Sequence, residues 1–287
     1  MIETTAQFNK LFIIQSLSDT ELQTGDRLAK DALRPKLDSL GLGLVHFKVA
    51  NRAQFFAALD DIWKECAETR PRIYPILHLD THGRADKSGI AMLPSDDTVT
   101  WVEFVNKCQA INVECHNNLV VTSGLCFGLL AITAINFRAA APFLALVGPQ
   151  ERVTAGEIDD GFPAFYGELL GSGDIAAAHA KLSPKFALFL SDRLFLHAFA
   201  TFLQQSCKGV GRAERIERLL AEFLERDAAQ KIDETTARRI IEDYTMPNAN
   251  AFERFKRVFL VSDHPLNVGR FDGVSFETAL AAAERGA

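Results

Sequence analysis

A thiol and an imidazole stand at the ends of two apolar runs. Ile73-Tyr74-Pro75-Ile76-Leu77-His78-Leu79-Asp80 leads into Thr81-His82-Gly83, and Asn118-Leu119-Val120-Val121-Thr122-Ser123 leads through Gly124-Leu125 into Cys126-Phe127-Gly128. Short continuous apolar runs bounded by turn residues read as buried β-strands. If the two are parallel neighbours, His82 and Cys126 emerge side by side at the carboxyl edge of a sheet, where open α/β sheets hold ligands. A cysteine beside an imidazole is the minimum set for thiol nucleophilic catalysis. The turn at Cys126 reads as strand-to-helix, so free N–H groups and a positive dipole end would favour a thiolate and an oxyanion. Gly83 leaves an unhindered N–H and room for a substrate backbone.

The remaining cysteines and histidines have plainer contexts. Cys66 and Cys108 fall on helical faces, Cys207 near a helix end, and Cys115 at the amino edge of the sheet. His78 precedes His82 by a spacing that ligates metal only on a helix, and no Glu follows it, so no metal is expected. His78 reads instead as a hydrogen-bonded core residue. Five cysteines without a CxxC pair argue against a disulfide framework and a zinc ribbon, and for a reducing, cytoplasmic compartment. A net charge of −6 argues against nucleic acid or an anionic membrane as partner. Met1–Lys10 lacks a signal-peptide pattern, and the charge-free run His116–Phe137 is broken by polar residues and glycines, so no membrane span is read. Neither a Gly-x-Gly-x-x-Gly nor a P-loop occurs, and no cofactor is expected.

Positioning these residues requires a regular scaffold. Leu11–Gln15, Gly43–Ala50, the two runs above and Phe143–Gly148 read as strands. Helices are expected from Thr24 to Leu40, after an Asn51 N-cap (Phe55, Leu59, Ile62, Trp63), from Trp101 to Ile111 (Val102, Val105, Cys108), through Leu129–Ile135, and from Asp159 or Asp160 to Gly171. A hairpin is expected around Pro94–Asp97. The alternation predicts an α/β fold with a mostly parallel sheet and helices on both faces over residues 1–183. Residues 184–287 read as a helical C-terminal region without a strand: Phe186–Gln205, Arg212–Ala229, Glu234–Tyr244, Ala249–Leu260 and a helix after Ser275, with Gly209-Val210-Gly211 as a turn.

With those elements in order, the chain resembles the caspase-like cysteine peptidases (caspases, metacaspases and bacterial CHAT-type relatives). The matching residues are the strand ending in His82-Gly83, the strand ending in Cys126-x-Gly128, the strand Phe143–Val147 with Phe165-Tyr166 beyond, and Leu11–Ile14 leading to Thr24-Gly25-Asp26. The resemblance covers roughly residues 8 to 175 and implies a cysteine endopeptidase, a hydrolase of regulated proteolysis. Cys126 would be the nucleophile and His82 the proton donor, with the N–H groups of Gly83 and Cys126 as oxyanion hole. Gln23 stands where caspases carry a substrate-binding Arg, and Gly124 where relatives carry Gln or Asp. Strong selection for Asp at P1 is therefore not expected; Glu151, Arg152, Glu157, Asp159 and Asp160 are the candidates for a charged subsite. The substrate is expected as an added strand beside the segment following Val147.

Gly124-Leu125-Cys126-Phe127-Gly128 also fits a Gly-x-Cys-x-Gly elbow of amidotransferases and hydrolases, which need a later His; a catalytically silent scaffold is the third reading. The partners expected are a protein or peptide substrate and a regulatory protein or small-molecule activator, with oligomerisation open. Family analogy suggests a defence or cell-death pathway. The apolar faces of the tail (Phe195, Phe199, Phe202; Leu219, Leu220, Phe223; Phe252, Phe255, Phe259) must pack on the first domain or meet a partner.

Overall fold

In chain order, the strands are β1 (Lys10–Gln15), β2 (Gly43–Lys48), β3 (Pro75–Asp80), β4 (His82–Gly83), β5 (Gly89–Met92), β6 (Asp97–Thr100), β7 (Val120–Ser123), β8 (Ala145–Pro149) and β9 (Phe186–Leu190). The computed structural model describes residues 4–225 and 232–285. Six strands form one sheet in the order β2-β1-β3-β7-β8-β9; all pairs are parallel except β8–β9. The chain is thus an α/β protein built on a mostly parallel sheet. The hairpin expected around Pro94–Asp97 is present as β5 and β6, and β4 joins it as a third antiparallel strand.

Side chains on alternate strand positions feed two cores. On one face Phe12, Ile14, Leu77, Leu79 and Val121 pack under α3 (Arg52–Glu68) and α4 (Trp101–Glu114). On the other, Leu11, Ile13, Ile76 and Val120 pack under the first helical segment, α5 (Ala155–Ser172) and α6 (Ile175–His179). That first segment runs as α1 (Thr24–Arg27), a π-helical stretch Leu28–Leu33 and α2 (Arg34–Leu40), and stops at Gly41, whose φ of 67° suits a residue without Cβ. Asn51 caps α3 by accepting from the Gln54 N–H, as its position predicts.

Several expectations are corrected. Val102 and Trp63 face solvent; the buried side of α4 is Trp101, Phe104, Val105, Cys108, Ile111 and Asn112. The segment after Cys126 is a 3-10 helix, Gly128–Ala134, and not an α-helix. α5 begins at Ala155, before Asp159, because Thr154 and Glu157 form a reciprocal capping box. Phe186–Leu190 is a strand and not helix, since β8 leaves an open edge whose backbone groups it satisfies from Pro149 to Ala145. The sheet therefore continues past residue 183 to Leu190.

Beyond β9 the chain is helical: α7 (Ser191–Ser206), α8 (Gly209–Leu224), α9 (Glu234–Tyr244), α10 (Ala249–Leu260) and α11 (Phe276–Arg285). α9 and α10 match their expected bounds. α8 starts at Gly209, so Gly209-Val210-Gly211 lies in its first turn, and the residues expected at its far end, Ala228 and Ala229, lie outside the described residues. A third core unites Phe195, Phe199, Leu203, Phe252 and Phe259 with Ala279, Ala283 and Ala141. α7 follows β9 directly, and Ala141 N–H donates to the Phe259 carbonyl, which ties this core to the strand ends of the sheet. Phe202, placed on an apolar face by its spacing, is exposed, as is Leu224 at the end of α8.

Candidate active site

β3 and β7 are parallel neighbours, and their last paired register is Leu79 with Ser123. Three further residues on each strand lead to His82 and to Cys126. Gly124 N–H extends the ladder by donating to the Leu79 carbonyl at 2.8 Å. Beyond it the backbone turns sharply: Gly128 N–H donates to the Leu125 carbonyl at 3.2 Å, and Phe127 takes a left-handed φ of 61°. Phe127 N–H donates to the Glu151 carbonyl at 3.3 Å, which pins the turn to the segment after β8. His82 and Cys126 line one cavity of about 190 Å³, together with Glu21, Asp80, Thr81, Gly124 and Val153.

Glu21 has no signal in the sequence, yet it meets the imidazole. Its Oε1 lies 2.9 Å from His82 Nε2, a close charge pairing and not an aligned hydrogen bond. Its other oxygen accepts from Ser18 N–H at 2.8 Å, which fixes the carboxylate. Both side chains are partly exposed, so the pair orients the ring more than it stabilises the fold. Cys126 Sγ lies 3.5 Å from the Val153 N–H and 3.6 Å from the Val153 carbonyl. It is half-buried, whereas Cys66, Cys108, Cys115 and Cys207 are buried. Burial pushes the thiol of Cys115 up to about 12 and raises those of Cys66, Cys108 and Cys207. None of those four is a nucleophile at neutral pH.

Two backbone donors next to the cavity-lining residues have no acceptor among the described residues. Cys126 N–H makes no hydrogen bond among the described residues. Arg84 N–H donates to the Gly89 carbonyl, so the neighbouring Gly83–Ile90 pair is a non-bonded one and Gly83 N–H points away from β5. Gly83 has a second role that the sequence did not disclose: a Cβ there would stand 1.9 Å from the Cys126 carbonyl oxygen. Only glycine lets the two strand ends approach this closely. A 3-10 turn of seven residues replaces the α-helix expected after Cys126, so the helix-dipole argument for its thiol falls away.

Asp80 closes the floor. Its carboxylate accepts from the Thr24 hydroxyl at 2.8 Å and from Gly25 N–H, joining β3 to α1. Burial pushes it up to about 6, against the pull of those donors and of His82. A carboxyl with a raised native pKa binds its proton more tightly when folded. The stability it contributes is present below its unfolded value of 3.8 and lost as pH rises through about 6. Asp80→Asn should remove that dependence: between pH 4 and pH 8 the wild type should lose up to about 3 kcal/mol relative to the variant. Urea denaturation at both pH values checks this; parallel pH curves would contradict it.

The proposed charge-reading residues are mostly occupied elsewhere. Gln23 bonds Gln15 and the Ser18 and Glu21 carbonyls. Glu157 caps α5 and pairs with Lys185 at 2.8 Å, and Asp159 pairs with Arg27 at 3.0 Å. Glu151, Arg152 and Asp160 are exposed, and none of these six lines the cavity; of the specificity candidates only Gly124 does. The edge following Val147 is covered through Pro149 by β9, and Gln150 N–H donates to Lys185, so an added strand finds open backbone only beyond Gln150. His78 is a core residue as expected: Nδ1 meets the Thr122 hydroxyl at 2.9 Å, and that hydroxyl meets Tyr166 at 2.7 Å. Burial lowers His78 to about 3.

No family model and no curated protein matches the chain. Among the described residues no helix is long and apolar enough to cross a membrane. Among those residues, too, no group of three His, Cys, Asp or Glu side chains is placed to hold a metal ion.

Proposed function

We propose that the chain is a caspase-like cysteine endopeptidase with Cys126 as nucleophile and His82 as proton donor. The observation that carries this reading is the equal offset of the two residues from the last register of neighbouring parallel strands, with both lining one cavity. The thiolate adds to the scissile carbonyl carbon, and the carbonyl electron pair moves to oxygen, toward the N–H groups of Gly83 and Cys126. Loss of one such donor typically costs ~3 kcal/mol in the transition state. The intermediate collapses with cleavage of the C–N bond, and His82 protonates the departing amine. Water then hydrolyses the thioester, with His82 accepting its proton. Glu21, 2.9 Å from Nε2, holds the ring of His82 in place.

The elbow reading loses support on two observations. The left-handed residue is Phe127 and not Cys126. No later histidine lines the cavity: His179 bonds the Phe186 carbonyl, His264 stacks on His116 with ring centroids 3.4 Å apart, and His197 is exposed.

Specificity follows from charge. Among the described residues, the cavity lining carries two carboxylates, Glu21 and Asp80, and no Lys or Arg. An Asp or Glu at P1 would meet like charge at short range, so neutral or basic P1 residues are expected. Digestion of a peptide library by the full chain tests both statements. Cleavage without acidic P1 residues supports them; a profile dominated by Asp overturns the specificity, and glutaminase or esterase activity without peptide cleavage overturns the function.

A further inference from the structure

A cavity of about 430 Å³ lies in the helical region, bounded by α7, α8, the end of α9, the first half of α10 and the segment after the 3-10 helix. Phe199, Phe202, Tyr244 and Phe255 line it, with Tyr244 and Met246 each more than half exposed at its rim. Three guanidiniums stand around these rings: Arg138, Arg215 and Arg254. Arg215 lies over the rings of Phe202 at 5.0 Å and Tyr244 at 5.7 Å, and its N–H groups reach only the Ser206 carbonyl and Cys207 Sγ. Arg254 lies over Phe255 at 5.4 Å. None of the three pairs with a carboxylate among the described residues.

We propose that this cavity binds a small amphipathic acid: an aromatic or acyl body against the phenyl walls, and a single carboxylate, sulfonate or phosphate held by Arg138 and Arg254. The volume is that of a small-molecule site, and apolar walls with a few convergent polar groups are its usual composition. Guanidinium groups without partners favour an anion whose oxygens they can grip in pairs. The aromatic faces favour a flat or extended apolar body. Binding requires neither Cys126 nor His82, so it stands or falls apart from the peptidase reading.

The test is a fluorescence titration of the full chain with anilinonaphthalene sulfonate, followed by displacement with decanoate and, separately, decanol. The expected result is saturable binding of one probe per chain, displaced by decanoate and far less by decanol. The exposed pair Arg138→Gln/Arg254→Gln should weaken decanoate binding by at least about tenfold, the loss of charge-assisted contacts. If that pair lowers the thermal midpoint, Arg138→Lys/Arg254→Lys replaces it and should weaken decanoate binding several-fold, because an ammonium keeps the charge and loses the paired grip; unchanged affinity in the Lys pair then overturns the proposal. Absence of saturable binding, equal displacement by decanol, or unchanged affinity in the Gln pair overturns the proposal. So does light scattering that finds a stable dimer which Phe202→Glu converts to monomer, because the cavity is then covered by a second copy.

Discussion

Cys126→Ala and His82→Ala should each bring peptide turnover to background while leaving the thermal midpoint close to that of wild type. The first removes the sulfur proposed to form the acyl intermediate, and no other thiol can replace it: the remaining four are buried. The turn itself is held by backbone bonds from Gly128 to Leu125 and from Phe127 to Glu151, which alanine retains. The second removes the proposed proton donor to the amine, a role that contributes about 10²- to 10⁴-fold. The two variants separate in one measurement. His82→Ala should still take up one equivalent of iodoacetamide at Cys126, and Cys126→Ala none. Glu21→Gln should fall between wild type and His82→Ala, because it removes a charge that orients the ring and no reacting atom. Undiminished cleavage by either alanine variant would refute the assignment of both residues.

Gly83→Ala should be nearly as damaging, for a steric reason. The new methyl would stand 1.9 Å from the Cys126 carbonyl oxygen, and backbone cannot rotate away as a flexible side chain can. β4 and the Cys126 turn must therefore separate, carrying His82 and the two N–H donors out of alignment. A displacement near 1 Å in a catalytic constellation costs about 10²-fold in rate. The native state should also lose about 1–3 kcal/mol, the usual range for overpacking. Gly167→Ala provides the contrast: it sits inside α5 with nothing within 4 Å of a Cβ, and should be neutral or stabilising. Turnover and urea denaturation of the two variants side by side decide the matter. Equal activity in both would mean that the close approach of Gly83 to Cys126 has no part in catalysis.

Local patterns in the chain determined the parallel sheet and the two strand ends. Apolar runs at β1, β3, β7 and β8 have no polar alternation, so both faces must be covered, and the intervening helices do the covering. Caps and amphipathic spacing are short-range properties, which is why Asn51 and the bounds of α9 and α10 are legible residue by residue. Thr154-x-x-Glu157 is equally local in spacing, but only the formed capping box and the Lys185 pair show that Glu157 is engaged. The tertiary structure alone decided the rest. Phe186-Ala187-Leu188-Phe189-Leu190 suits a helix or a strand; the open edge of β8 selects the strand because unpaired backbone groups there would be buried without partners. Val102 and Val105 both suit the buried face of α4, and only its rotation against the sheet exposes Val102. Glu21 reaches His82 from a loop far away in the chain, through a contact that neither residue's neighbours encode. The need for glycine at position 83 comes from the carbonyl of Cys126 on the adjacent strand end, a steric demand that exists only once β3 and β7 are paired.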